Sequence, residues 1–310
     1  MRRGLALVAA VIALAGCEAD PVAPPSETPS VQASAPRTPG PTTPAFTVDF
    51  PAIDGSTGLI PLGSLLLQRF ASVPKKQADN LAFTAAPSAY ETLACGELRK
   101  SGAILLAYEP AQDTLDSIAE CERLEYHPIG RDALVFLVNA ANPVASLTTK
   151  QYQDLYSGKT ANWQALGGPD QPVTAFQRPE SSSSQALMRK AVMGKTALAE
   201  APDAYVKDGV AGDLVPGVAN YDNSAGAIGY SMFYYAQQMY ASSGVKMLAA
   251  NGVAPSKQTI ADGTYPYLAD FYVVIRANEP KDGPARQVVA WLESETGQQA
   301  VVDAGYVGKK

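Results

Sequence analysis

Val173-Thr-Ala-Phe-Gln-Arg-Pro-Glu-Ser-Ser-Ser-Ser-Gln-Ala-Leu-Met188 is the most informative run of residues in the chain. A short β-rich run, Val173 to Gln177, passes through Arg178 and four serines into a helix-forming segment, Gln185 to Met193. Strand, hydroxyl-rich turn and helix start together make a place for an anion. The first N–H groups of a helix have no partner within it, and the helix dipole turns its positive end toward them. Serine hydroxyls add donors, and the Arg178 guanidinium adds a permanent cation able to grip two oxygens at once. Taken alone, the same residues also describe a serine-rich surface loop with an ordinary N-cap.

The neighbouring sequence repeats the unit. Phe46 to Ile53 reads as a strand and Asp54-Gly-Ser-Thr-Gly58 as a turn, after which Leu62, Leu65, Leu66 and Phe70 fall at helical spacing. Ala103 to Ala107 reads as another strand, running into Tyr108-Glu-Pro110 and a helix from about Asp113. Strands alternating with helices predict an α/β fold with a largely parallel sheet. Ligands in such folds sit beyond the carboxyl ends of strands, so several of these turns can converge on one cleft.

The first residues have a different character. Arg2 and Arg3 precede an apolar run, Leu5 to Leu14, that ends in Leu14-Ala-Gly-Cys17. This is a signal-peptide pattern over residues 1–17, and the run is too short for a typical membrane-spanning helix. The Leu-Ala-Gly-Cys ending resembles the lipobox of bacterial lipoproteins, which implies acylation of Cys17. Residues 18–47 form a tether: eight prolines lie between Pro21 and Pro44 among Ser, Thr and Ala, with too little apolar surface to fold. Such a segment holds a folded domain away from the membrane its lipid enters.

Composition narrows the function. A formal net charge of −6, with no basic run, excludes nucleic acid as a partner. It leaves small anions open, because local N–H groups and hydroxyls hold them whatever the overall charge. One histidine, His127, and no Cys-x-x-Cys pair point to no metal and no cofactor. An exported chain meets oxidising conditions, so Cys95 and Cys121 are expected to form a disulfide, the alternative being two buried thiols. Without Gly-x-Ser-x-Gly or a base near a candidate serine, the chain is not expected to be an enzyme.

A longer segment carries a family resemblance: VNAANPVASLTTKQYQDLYSGKTANW, residues 138–163, supported by Asp54-Gly-Ser-Thr57, Ala225-Gly-Ala-Ile-Gly-Tyr230, Gly263-Thr-Tyr-Pro-Tyr267 and Ala304-Gly-Tyr-Val307. Over roughly residues 48–308 the chain resembles the substrate-binding proteins of phosphate-type ABC transporters, within the type II periplasmic binding protein superfamily. Much of the long motif reads as scaffold, with Thr148 capping a helix whose Tyr152, Leu155 and Tyr156 face inward, and Trp163 in the core. The resemblance implies a two-lobed fold with a ligand cleft between lobes joined by two crossing strands. Crossings near Leu134 to Asn139 and Ala227 to Phe233 give one lobe of 48–137 plus 232–310 and a second of 138–231.

The resemblance also implies a ligand set. The family's first hydroxyl turn matches Ser56 and Thr57, its arginine matches Arg178, and its Ser-Gly-Thr turn matches Ser182, Ser183 and Ser184. Ser183 stands where the family has glycine. Glu109, in a Tyr-Glu-Pro strand end, lies one residue from the family's carboxylate; in that role it would accept a hydrogen bond from a protonated phosphate and repel sulfate, the alternative being a solvent-exposed strand-end charge. Tyr108 would donate to the anion or seal the cleft. His127 reads as structural in a loop before a strand, Glu180 as balancing a cation or capping the helix, Tyr90 as facing the cleft, and Asp222 and Asn223 as a turn. The function implied is a lipid-anchored, extracytoplasmic receptor, in the periplasm or at the cell surface, that captures inorganic phosphate or a related oxyanion for an ABC permease. The alternative is an envelope sensor or adhesion protein keeping the fold for another ligand or a protein partner.

Overall fold

The computed structural model describes residues 50–84, 86–96, 102–178, 180, 182–200 and 224–309. The leader, Cys17, the tether, Ser181, Asp222 and Asn223 lie outside them. The elements in chain order are β1 (Ala52–Gly55), α1 (Ile60–Phe70), α2 (Lys75–Ala78), α3 (Ala86–Ala94), β2 (Ala103–Tyr108), α4 (Gln112–Ser117), β3 (Leu124–Asn139), β4 (Ser146–Leu147) and α5 (Thr149–Tyr156). There follow β5 (Thr174–Ala175), α6 (Ser183–Leu187) running into a π-helical turn (Met188–Met193), β6 (Ala227–Met232), α7 (Phe233–Ser243), β7 (Val245–Ala250) and α8 (Lys257–Ala261). The chain closes with β8 (Leu268–Arg276), α9 (Pro284–Glu293), α10 (Glu295–Asp303) and β9 (Val307–Gly308).

The principal strand order is β1-β2-β8-β3-β6-β5. The expectation of a largely parallel sheet is corrected here. Only β1–β2, β4–β7 and β5–β6 pair in parallel, whereas β3 is antiparallel to β8, β6, β7 and β9, and β2 to β8. Local strand–helix alternation gives each element its type, but the direction of a pair is set by residues far away in the chain, from about fifty positions for β1–β2 to well over a hundred for β3–β8. The 16-residue β3 is the organiser. Its residues 124–133 pair with β8 and its residues 134–138 with β6, so one continuous strand serves two halves of the sheet.

Helix α5 follows its sequence chemistry closely. The Thr148 side chain accepts from the Gln151 amide while Gln151 reaches back to the Thr148 amide, a reciprocal cap that satisfies two otherwise open donors. Tyr152, Leu155 and Tyr156 are buried at one face, and Gly158 takes φ 75° after the last turn. Tyr152 stacks on Phe136 of β3 with centroids 3.8 Å apart. Trp163 is fully buried, and its indole N–H donates to the Gly226 carbonyl at 2.8 Å. That donor needs a partner once out of water, which makes Trp163 scaffold as its position in the motif suggests.

Three local expectations move. Strand β1 ends at Gly55, so the first half of the Asp54–Gly58 turn is strand. Gly55 has φ 149°, and a Cβ there would meet the Leu106 carbonyl oxygen at 1.9 Å. Only glycine lets β1 approach β2 this closely while delivering the Ser56 amide to that same oxygen at 2.8 Å. His127 is not in a loop: it lies within β3, opposite Val273, with Nδ1 3.2 Å from Glu293. The neighbouring Pro128 misleads, because a shift in register between Pro128 and Gly130 absorbs the missing amide. Tyr90 is buried in a core cluster with Leu93, Leu105 and Val274, its hydroxyl donating to the Tyr108 carbonyl at 2.9 Å, rather than facing a cleft.

Cys95 and Cys121 are bonded, linking the end of α3 to the segment after α4 across 26 residues. Closing a loop of that length restricts the unfolded chain by about 3 kcal/mol. Replacing both cysteines by serine is therefore expected to lower the melting temperature by several degrees, measurable by thermal unfolding. An unchanged transition would show that the loop is already ordered without the bond.

Candidate functional site

The carboxyl end of β2 and the head of α6 border one cavity of about 1190 Å³. Tyr108 and Glu109 reach it from β2, Ser183 and Lys190 from α6 and the π-helical turn, and Arg131 and Asp270 from β3 and β8. The cavity thus takes its lining from β2, β3 and β8 together with α6 and the π-helical turn.

On the first wall, the residue order Asp54-Gly-Ser-Thr builds a fixed turn. Asp54 accepts from the Thr84 amide and hydroxyl, at 2.8 and 2.5 Å. Buried Ser56 accepts from the Tyr108 amide at 3.4 Å through its hydroxyl. The Thr57 carbonyl accepts from the Tyr235 hydroxyl at 2.6 Å, tying the turn to α7. Ser56 and Thr57 are not among the residues that line the cavity.

Tyr108 itself is 4% exposed, and its hydroxyl donates to Asp132 at 2.8 Å. Its donor is engaged, so Tyr108 serves the cavity as wall. Asp132, fully buried on β3, also accepts from the amides of Ala133 at 2.8 Å and Tyr234 at 3.2 Å. Burial pushes its carboxyl up to about 6, against the pull of those three donors. Burial and the nearby Asp132 charge both push the Tyr108 phenol up, leaving it a neutral donor.

On the second wall, Ser182 is the N-cap of α6, its hydroxyl accepting from the Gln185 amide at 3.1 Å. Ser182 and Ser184 hydroxyls lie 3.2 Å apart. Ser183, in the family's glycine position, is the first residue of α6 and is not among the positive-φ residues, so serine fits without backbone strain. Of the three, Ser183 lines the cavity. Arg178 is 6% exposed, its amide donating to the Tyr230 hydroxyl at 3.0 Å and to the Gln185 side chain at 3.4 Å. Tyr230 also donates to Gln185, which fixes the segment before the serines against β6.

The remaining charges come in pairs. Glu180 is clamped by Arg189, with Nε donating at 2.6 Å, and accepts from Gln185; the Arg189 contact holds its carboxyl below the usual range. This is the charge balance expected of Glu180. Arg131 pairs with Asp270 at 2.8 Å. Glu109 pairs with Lys190 at 2.6 Å. Lys190, Arg131, Asp270 and Asp132 do not emerge from the sequence reading: their partners are distant in the chain and no spacing rule joins them. The nearest signal is the Arg131-Asp132 pair just before the apolar run of β3. Among the described residues no group of histidine, cysteine and carboxylate side chains is arranged for a metal.

The profile of the PBP superfamily domain matches residues 70–296. The chain belongs to this superfamily. Among curated relatives, the phosphate-binding protein PstS of Borreliella burgdorferi is 25% identical over 58% of this chain and 64% of its own. The phosphate-binding protein PstS of Bacillus subtilis is 31% identical over 56% of this chain and 55% of its own. The matched region thus spans less than two thirds of either relative. PstS of Staphylococcus epidermidis strain RP62A matches more broadly, 25% identical over 82% of this chain and 77% of its own.

Solved structures of the superfamily share the fold at lower identity. A chain from Clostridium perfringens crystallised with bound phosphate has a TM-score of 0.64 at 21% identity, covering 84% of this chain and 100% of that one. An ABC-type phosphate transport receptor from Vibrio cholerae has a TM-score of 0.60 at 22% identity, covering 83% and 99%. The mixed α/β architecture organised by β3 is therefore the periplasmic-binding-protein fold.

Proposed function

We propose that this superfamily member is a non-catalytic, extracytoplasmic receptor that captures inorganic phosphate, or a closely related oxyanion, and delivers it to an ABC permease. The observation that carries the reading is the convergence of Ser183, at the head of α6, with Glu109, at the end of β2, on one cavity. Similarity to phosphate-binding proteins over most of the folded region supports the same ligand. Ser56, Thr57, Arg178, Ser182 and Ser184 do not line the cavity as it stands, and in this reading they would reach the anion as the walls draw together. In this reading the two halves act as lobes, 48–137 plus 232–310 against 138–231, and Cys17 carries the lipid that holds the chain to the membrane. Closing expels water, which strengthens each hydrogen bond to the ion.

Selectivity follows from protons. A carboxylate accepts a hydrogen bond from monohydrogen phosphate, whereas sulfate has no hydrogen to give and meets only repulsion. Calorimetric titration of the full chain, stripped of ligand by unfolding and refolding, is expected to give phosphate binding and no sulfate binding. Glu109→Gln should narrow the gap between the two anions at least tenfold, since an amide can donate to sulfate. Absence of heat with both anions in the parent chain would reject the oxyanion reading.

A further inference from the structure

Lys190 and Glu109 are 81 residues apart in sequence and belong to opposite walls of the cavity. Glu109 directly follows β2, whose hydrogen bonds run to β1 and β8. Lys190 stands in the π-helical turn that continues α6, beyond β5, which pairs with β6. Their contact at 2.6 Å is thus a direct link between the two halves at the solvent side of the cavity, with side chains 61% and 66% exposed. The other two ion pairs on the walls are different in kind. Glu180–Arg189 joins neighbours on the serine side, and Arg131–Asp270 joins the adjacent strands β3 and β8. Of these three pairs, only Lys190–Glu109 changes length when the walls move.

We infer that the Lys190–Glu109 pair is a strap across the cleft, which draws the end of β2 toward the serine turn before ligand enters and makes Lys190 the positioning partner of Glu109. The chemistry of the two groups suits the role. An ammonium has three donors and a carboxylate about four acceptor sites, so each can hold the other and still accept a further partner. A monoprotonated oxyanion beside Ser183 offers a hydrogen for Glu109 and an oxygen for Lys190. The strap's groups can therefore pass from each other to the ligand without either charge being left alone in a narrowing cleft. That exchange rests on the oxyanion reading; the strap does not.

An exposed ion pair contributes little to overall stability. It would matter here because two arrangements separated by only a few kcal/mol change their populations visibly under a small bias. Spin labels on cysteines introduced by Lys159→Cys and Lys281→Cys, both exposed and in different halves, report the separation without ligand. Lys190→Met is expected to move the distance distribution outward, changing the ratio of drawn-together to spread molecules about two- to fivefold. High salt should do the same to the parent chain and nothing to the variant. Lys190→Arg should restore the parent distribution, as should Glu109→Lys combined with Lys190→Glu.

Distributions that are identical in the parent chain and Lys190→Met would overturn the strap, whatever the affinity for phosphate. Phosphate titration of the same proteins separates the two ideas. A parent chain that ignores phosphate but spreads on Lys190→Met would reject the ligand and leave the strap standing. With phosphate bound, Lys190→Met should lose two- to fivefold in affinity, and Lys190→Arg should recover it.

Discussion

Arg178→Ala is expected to reduce oxyanion affinity by at least thirtyfold while leaving the fold intact. Arg178 is 6% exposed, so its guanidinium acts where water competes weakly. Removing one side of a desolvated, charged hydrogen-bonded contact costs roughly 2–5 kcal/mol, of which the low end is already about thirtyfold. The backbone position of residue 178 is held by Tyr230 and Gln185 through its amide, which alanine keeps. The variant should therefore show the parent's circular dichroism and a melting temperature within a few degrees. Arg178→Lys retains the charge but not the planar fork, and should fall between the two. Calorimetric titration of the three proteins checks the order. Equal affinity for Arg178→Ala and the parent would remove Arg178 from the ligand set and shift the site toward Ser183 and Lys190.

The second large effect belongs to Asp132, which touches no ligand. It joins β2, β3 and α7 through one carboxylate, by way of Tyr108, Ala133 and Tyr234. Asp132→Ala strands the Tyr108 hydroxyl and the Tyr234 amide away from water, at a cost of roughly 1–3 kcal/mol for each. Loss of several kcal/mol in a denaturant midpoint experiment is expected, against a smaller loss for Asp132→Asn.

The pH dependence distinguishes the charge from the packing. The folded carboxyl is raised to about 6 from an ordinary value of 3.8. Between those values the folded state keeps a proton that the unfolded state has released, so stability falls as pH rises. The contribution is fully present below pH 3.8 and is lost by the time pH passes 6, a change of at most about 3 kcal/mol. Asp132→Asn should lack this component, so the stability difference between the parent and Asp132→Asn should change across that window and be flat above it. A constant difference would mean that Asp132 titrates alike folded and unfolded.

What could be read from the residues divides along the range of the interaction. The Thr148 cap and the inward face of α5 were legible because each depends on neighbours three or four positions away. The disulfide was legible as chemistry, since two cysteines in a chain that reads as exported have few alternatives. The hydroxyl turns were legible as residue types, and Ser183 does reach the cavity. The antiparallel pairing of β3 was not, because a strand's partner leaves no local trace. His127 shows the same limit from the other side: Pro128 signals a loop, and only the register shift against β8 reconciles it with a strand. Glu109 was recognisable as a carboxylate at a strand end, but its cation at position 190 was not, since no sequence spacing connects residues on opposite sides of a cleft.

The length of β3 has a thermodynamic consequence. A protein whose two halves were joined only by loops could lose one and keep the other, giving separate melting events. Here residues 124–133 and 134–138 are successive parts of one strand, bonded to β8 and to β6 in turn. Fraying either half exposes the end of the ladder that supports the other, so partial unfolding is penalised at the boundary. The folded region is built to melt as one cooperative unit, even though the cavity draws its lining from two walls.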